Sequence, residues 1–174
     1  MDGRRHVVLV GLSGAGKTAV GRLAAAVLGA PFTDLDEAVV RRAGKSVAAV
    51  FEEDGEPAFR ALEAVCAGEA FEGRPSVVAT GGGFFEDAAN RQAAHAAGLT
   101  VYLQVEPATA ARRLGGDGGR PLLQGGDSTQ RLADLLTRRR EAYLEADQVV
   151  ATDGETAEAV ARRVVSLARD GGGW

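Results

Sequence analysis

The eight residues Gly11-Leu-Ser-Gly-Ala-Gly16-Lys17-Thr18 constrain this chain more than any other feature. They satisfy G-x-x-x-x-G-K-[S/T] in full. Before them stands Val7-Val8-Leu9-Val10, a short continuous apolar run of the kind that forms a strand buried on both faces. After them a helical pattern covers residues 18–28 and is closed by Gly29. A strand, a glycine loop and a helix in this order form an anion cradle. Glycines let the backbone curl so that successive N–H groups point at one anion, and the helix adds its positive end. Lys17 is then placed for the β- and γ-phosphates of a nucleotide, and the Thr18 hydroxyl for Mg²⁺. A rival pattern overlaps the loop. Gly14-Ala-Gly16-Lys-Thr-Ala19 fits the looser G-x-G-x-x-G/A of dinucleotide-binding redox proteins, with the acidic Asp36 about 20 residues on. It leaves Gly11, Lys17 and Thr18 without a role, whereas the phosphate loop uses all three.

The rest of the chain supplies an α/β frame for this loop. Residues 31–35 read as a second strand ending in Asp34-Leu35-Asp36, and residues 37–71 as helix broken near Gly44 and Gly55, with Ser46 and Gly55 as helix starts. Further strands are expected at 76–80, 99–103 and 148–151. Helices are expected at 87–97, 107–114, 128–146 and 155–168, with a frayed tail from Asp170 to an exposed Trp174. Strands alternating with helices argue a parallel sheet covered on both faces. The 174 residues fit one domain spanning 1–174, and 45% apolar residues suffice for one core. Twenty basic against 24 acidic side chains, a net charge of −4, argue against a general nucleic-acid coat protein. A lone Cys66 excludes an internal disulfide and fits a reducing cytoplasm. No apolar run is long enough for a membrane span or a secretory signal. His6 and His95 lack paired ligands, and Cys66 lies among Phe59, Leu62 and Val65; all three read as structural.

A phosphate loop leaves open what receives the phosphate. Asp34 and Asp36 stand two apart at the end of a strand, where both can face one side and where ligands of open α/β sheets bind. One could hold Mg²⁺ through water while the other orients a hydroxyl; the bland reading is a turn acid and a helix cap. Arg60 and Glu63 are i, i+3 on a helix. They form either a surface ion pair or a guanidinium held ready for a carboxylate. Gly81-Gly82-Gly83 follow an apolar strand, either as a plain loop or as a place where a ligand approaches backbone. Arg138-Arg139-Arg140 is a charge run of which only one member needs to point inward.

Together these motifs resemble the shikimate kinases. The resemblance rests on the phosphate loop, Asp34-Leu-Asp36, Phe51-Glu-Glu-Asp-Gly-Glu-Pro-Ala-Phe59-Arg60-Ala-Leu-Glu63, Thr80-Gly-Gly-Gly83, Arg120-Pro-Leu-Leu123 and Arg139-Arg-Glu-Ala-Tyr143. They run in order over residues 7–153. It implies a three-layer αβα phosphate-loop kinase with a five-stranded parallel sheet in the order 2-3-1-4-5. Substrate-binding helices would occupy about residues 37–72 and a lid about 115–126. It implies ATP-dependent phosphorylation of the 3-hydroxyl of shikimate, with Mg²⁺, by a cytoplasmic monomer that engages neither nucleic acid nor membrane. Gly14, Ala15, Gly16, Lys17, Thr18 and Ala19 would bind ATP with Arg113 and Arg120; Arg113 would lie against adenine and Arg120 reach the phosphates from the lid. Asp36 would orient the substrate hydroxyls, and Asp34 would join Thr18 at the metal through water. Arg60 and Arg139 would clamp the carboxylate beside a backbone N–H of Gly81, Gly82 or Gly83. Lys17, Asp36 and Arg120 would carry catalysis. The chain departs from the family at Glu141, where a proline is common, and at Phe84-Phe85, which are bulkier than the family's residues there. Arg112 and Arg113 both remain candidates for the adenine contact. Other readings on the same scaffold are a kinase for another cyclitol or polyol, such as a gluconate-like sugar acid, and a non-catalytic nucleotide-binding module.

Overall fold

The structure is a computed structural model, and it describes residues 5–115 and 127–174. Five strands, β1 (His6–Val10), β2 (Phe32–Asp34), β3 (Val77–Ala79), β4 (Gly98–Gln104) and β5 (Gln148–Ala151), form one parallel sheet in the order β2-β3-β1-β4-β5. This is the order the resemblance implies. Every β1 residue is buried because helices cover both faces, which is why the run carries no polar alternation. Val7 and Leu9 face one apolar core; Val8 and Val10 face the other.

The first core packs against α1 (Lys17–Leu28), α6 (Pro107–Leu114) and α8 (Ala157–Gly171). The second packs against α2 (Leu35–Ala43), α3 (Val47–Glu53), α4 (Glu56–Glu72) and α5 (Ala88–Ala97). One helix serves both cores: α7 (Ser128–Leu144) contributes Leu132 and Leu135 to the first and Tyr143 to the second.

Local chemistry sets the breaks. Gly44 ends α2 in the left-handed conformation, Ser46 caps α3 by accepting from the Ala49 N–H, and Gly55 precedes α4, all as the sequence predicts. The α7 helix runs without interruption through Glu141, so the missing proline leaves the path of this helix intact.

Two expectations need correction, on Asp36 and on the C-terminus, and the bulky Phe84-Phe85 pair finds its place. The α2 helix begins at Leu35, so Asp36 sits in its first turn rather than on the strand. Phe84 and Phe85 form a short 3-10 turn with Glu86, and both rings are wholly buried in the second core. The C-terminus is not frayed: α8 reaches Gly171, and Trp174 folds back against the first core, its indole N–H donating to the Arg5 carbonyl at 2.8 Å. The Arg5 N–H donates to Gly172 O at 2.9 Å, so both ends of the described chain are tied together. Among the described residues no helix is long and apolar enough to cross a membrane.

Candidate active site

At the carboxyl edge of the sheet the loop between β1 and α1 wraps a cavity of about 230 Å³. Gly14, Gly16, Lys17, Thr18, Asp34, Asp36, Thr80 and Arg113 help line it. Gly11, Gly14 and Gly16 all have positive φ, at 140°, 83° and 92°. A side chain at Gly11 or Gly14 would also strike the backbone of Leu103 or Ala110. Conformation and space both demand glycine there. Lys17 is buried, and its ammonium donates to the carbonyls of Gly11 and Leu12 at 2.7 and 2.9 Å, inside the curl that the loop makes.

Asp34 joins this loop to the acceptor side. Its Oδ1 caps α2, accepting from the Asp36 and Glu37 N–H groups at 2.9 and 3.3 Å. Its Oδ2 accepts from the Thr18 hydroxyl at 2.5 Å. The capping reading is therefore true of Asp34, and the same carboxylate also faces the loop through Thr18. The Thr18 oxygen keeps its lone pairs, and a carboxylate oxygen lies beside it. One hydroxyl and one adjacent carboxylate suit Mg²⁺, which keeps most of its waters and takes few protein oxygens.

Next to this, the three glycines after β3 make room for five polar side chains. None of them has positive φ, so their need is for space. A methyl group on Gly81 would land on the Glu63 carboxylate and within 3.3 Å of Asp36 Oδ1. One on Gly82 would come within 3.3 Å of an Arg139 Nη1 and 3.2 Å of the Ser13 hydroxyl. One on Gly83 would overlap the Arg60 guanidinium. Arg60, Arg139 and Asp36 thus meet on three consecutive residues beside the phosphate loop. Of the three arginines in the run only Arg139 is buried, its Nε 3.1 Å from a Glu86 oxygen. Arg60 donates to Glu63 at 2.9 Å and Glu56 at 3.2 Å. Burial works against the Arg60 charge, but the two carboxylates outweigh it and hold the guanidinium above its ordinary value. Glu63 is fully buried, and burial pushes its carboxyl upward against the pull of Arg60.

The adjacent arginines of α6 point to different places. Arg112 turns back to its own helix, donating to Thr109. Arg113 spans from the loop to the end of β5, donating to Gly14 O at 3.3 Å and to the Thr152 hydroxyl and carbonyl at 3.0 and 2.7 Å. It lines a second cavity of about 180 Å³ with Ala15, Ala19, Thr152 and Glu155. Sequence reasoning passed over Thr152 and Glu155, although their place just after the fifth strand, on the ligand-binding edge, was the available signal. It also passed over Ser13 and Glu86 as neighbours of Arg139. Arg120 lies outside the described residues.

The sequence model of the shikimate kinase family matches residues 13–169. The chain belongs to the shikimate kinase family. The shikimate kinase of Stenotrophomonas maltophilia (strain R551-3) is 42% identical over 170 residues, covering 97% of this chain and 94% of its own. A solved shikimate kinase from Acinetobacter baumannii, in complex with shikimate, is 36% identical. It superposes with a TM-score of 0.94 over 97% of this chain and 95% of its own. A gluconokinase from Sinorhizobium meliloti 1021 is 20% identical with a TM-score of 0.59, a likeness of fold alone. The family match thus covers the phosphate loop from Ser13 onward, the three glycines, the half-buried Arg60 and the buried Arg139.

Proposed function

We infer that this chain transfers the γ-phosphoryl group of ATP to the 3-hydroxyl of shikimate. The observation that carries the reading is the row of glycines, which brings the guanidinium groups of Arg60 and Arg139 beside Asp36 at the mouth of the phosphate loop. Two buried or half-buried cations on one shelf suit a carboxylate, and a carboxylate beside them suits a hydroxyl.

In the reaction, the loop N–H groups and Lys17 hold the phosphates of ATP, with Ala15 and Ala19 at the loop–helix junction and Arg113 against adenine. Thr18 and, through water, Asp34 would hold Mg²⁺, which neutralises phosphate charge when bound. Arg60, Arg139 and a glycine N–H fix the shikimate carboxylate. Asp36 orients the 3-hydroxyl in line with the γ-phosphorus. The hydroxyl oxygen bonds to phosphorus, the bond to the ADP oxygen breaks, and Asp36 takes the hydroxyl proton as transfer completes. Catalysis is positioning and charge neutralisation. Arg120, outside the described residues, keeps the role of reaching the phosphates from a lid at about 115–126. Residues 37–72 form the substrate-binding region of one catalytic domain. The acidic net charge and the single buried cysteine support a cytoplasmic enzyme that works as a monomer, without nucleic acid or membrane.

The test is a coupled assay of ADP release with shikimate, quinate and gluconate as acceptors. All three acceptors carry a carboxylate, so their ranking reads how the ring and its hydroxyls fit beside Asp36. Turnover with shikimate is expected to exceed the other two by at least about 10²-fold, on the scale by which pocket shape and hydrogen-bonding groups separate related substrates. Preference for gluconate, or ADP release equal with and without acceptor, would overturn the assignment.

A further inference from the structure

The Tyr143 side chain is among the largest fully buried in the protein and ends at the substrate shelf. Its hydroxyl donates to the Gly82 carbonyl at 2.5 Å. Its ring stacks on Tyr102, with centroids 4.9 Å apart and planes at 26°. Burial raises the phenol far above its ordinary range, against the opposing pull of the adjacent Arg139. The hydroxyl therefore stays a proton donor at every working pH.

That hydrogen bond has a directional consequence. The peptide joining Gly82 to Gly83 is planar and trans, like every peptide bond among the described residues, so its C=O and N–H point in opposite directions. Fixing the Gly82 oxygen on Tyr143 turns the Gly83 N–H away from the phenol. Gly83 is where Arg60 closes on the shelf, while Gly82 borders Arg139. Glycine peptides swing easily, since no Cβ restricts them. Phe84 and Phe85 brace the following turn, but neither supplies a donor to Gly82. Tyr143 is also four residues after Arg139, one turn along the same helix face, so a single element sets both a cation and a peptide of the shelf.

We propose that Tyr143 is a positioning residue for acceptor recognition: it locks the Gly82–Gly83 peptide so that the Gly83 N–H, between Arg60 and Arg139, donates to the substrate carboxylate. Tyr143 touches no reacting atom. This rests on the shikimate reading above, and wild-type turnover of shikimate tests that reading separately.

The experiment is steady-state kinetics of the wild type and Tyr143→Phe with shikimate and its methyl ester at saturating ATP, and with varied ATP at saturating shikimate. The phenylalanine keeps the ring stack and removes the hydroxyl, which donates to Gly82 and also hydrogen-bonds the Arg139 side chain; the Gly83 amide shift separates the two. For shikimate, kcat/KM is expected to fall about 10–100-fold, the equivalent of 1.4–2.8 kcal/mol, mainly through KM. The ester, which lacks the anionic acceptor, and the KM for ATP are expected to move less than about threefold. A general loss of packing would lower all of these together, and that outcome overturns the proposal, as does an unchanged KM for shikimate. A second measurement needs no variant. In ¹⁵N-labelled wild type, shikimate is expected to shift the Gly83 amide proton downfield, and the ester to shift it much less. Equal shifts, or none at Gly83, overturn the assignment of that N–H.

Discussion

Lys17 shows how a buried charge can be held ready for a ligand. Its two carbonyl partners belong to the loop that carries it, so the ammonium is desolvated and aimed into the curl before any phosphate arrives. Lys17→Ala is expected to lower kcat by at least about 10²-fold, the cost of removing one preorganised donor to developing charge. Circular dichroism should stay that of the folded enzyme, and retention of a tenth of wild-type kcat would refute the role. Arg60 and Arg139 make the other residue-scale prediction. A neutral acceptor leaves two guanidinium groups without a counter-charge, a penalty of roughly 3–5 kcal/mol. Shikimate methyl ester is therefore expected to be a poorer substrate than shikimate by about 10²-fold or more in kcat/KM. Arg60→Ala is expected to narrow that gap to within about tenfold, and a wild-type ester within tenfold of the acid would remove the clamp. The individual residues were legible in the sequence where their type and spacing encode the chemistry, as in the loop and the Asp34–Asp36 pair. Arg139 among three arginines, and Arg113 against Arg112, depend on which way a helix is rotated against the sheet. Local sequence carries that only weakly.

Glycines in this fold answer two different demands, backbone conformation at the turns and space where elements close on each other. Gly98 opens β4 opposite His6, with φ at −178°, an extended angle that any residue adopts. A methyl group there would nonetheless land on the His6 backbone, because β1 and β4 close on each other at that register. Gly98→Ala is expected to destabilise the protein by about 1–3 kcal/mol or more, as overpacking does. Gly68 offers the contrast. It is exposed in the middle of α4, and nothing lies within 4 Å of the added carbon. Gly68→Ala is expected to stabilise by about 0.5–1 kcal/mol. Urea midpoints of both variants check the pair, and shifts of the same sign would contradict the distinction. The strands and most helices follow from patterns within a few residues: apolar runs, caps, and glycines at Gly44 and Gly55. What escaped was set by distant partners. The Leu35 start of α2 is fixed by the cap of Asp34, itself held by Thr18, and the burial of Phe84 and Phe85 is fixed by a core built from five helices.

Over the whole molecule the two edges of the sheet differ: the carboxyl edge gathers the groups proposed to bind ligands, and the amino edge holds the fold closed. His6 is buried there, its Nδ1 accepting from the Ser76 N–H at 3.2 Å, and burial lowers its pKa below 6.5. The folded state thus resists a proton that the unfolded chain accepts. Stability from this group is fully present above pH 6.5 and is lost as pH falls toward the lower folded value, with a slope of up to about 1.4 kcal/mol per pH unit. Urea unfolding at pH 7.5 and 5.5 should show a larger loss for the wild type than for His6→Asn, and equal losses would exclude His6 as the source. The same edge joins Arg5 to Gly172 and Trp174, about the length of β1 away from the phosphate loop, some 16 Å at 3.3 Å per residue. The fold is therefore nearly a closed ring of chain, and the order in which its elements are synthesised is separable from their arrangement. A circular permutant, joined through a short Gly/Ser linker between the present ends and opened at the exposed Gly44–Lys45 turn, is expected to keep its far-ultraviolet spectrum and its shikimate turnover within about tenfold. An unfolded permutant would mean that folding depends on which end leads, which the finished structure does not require.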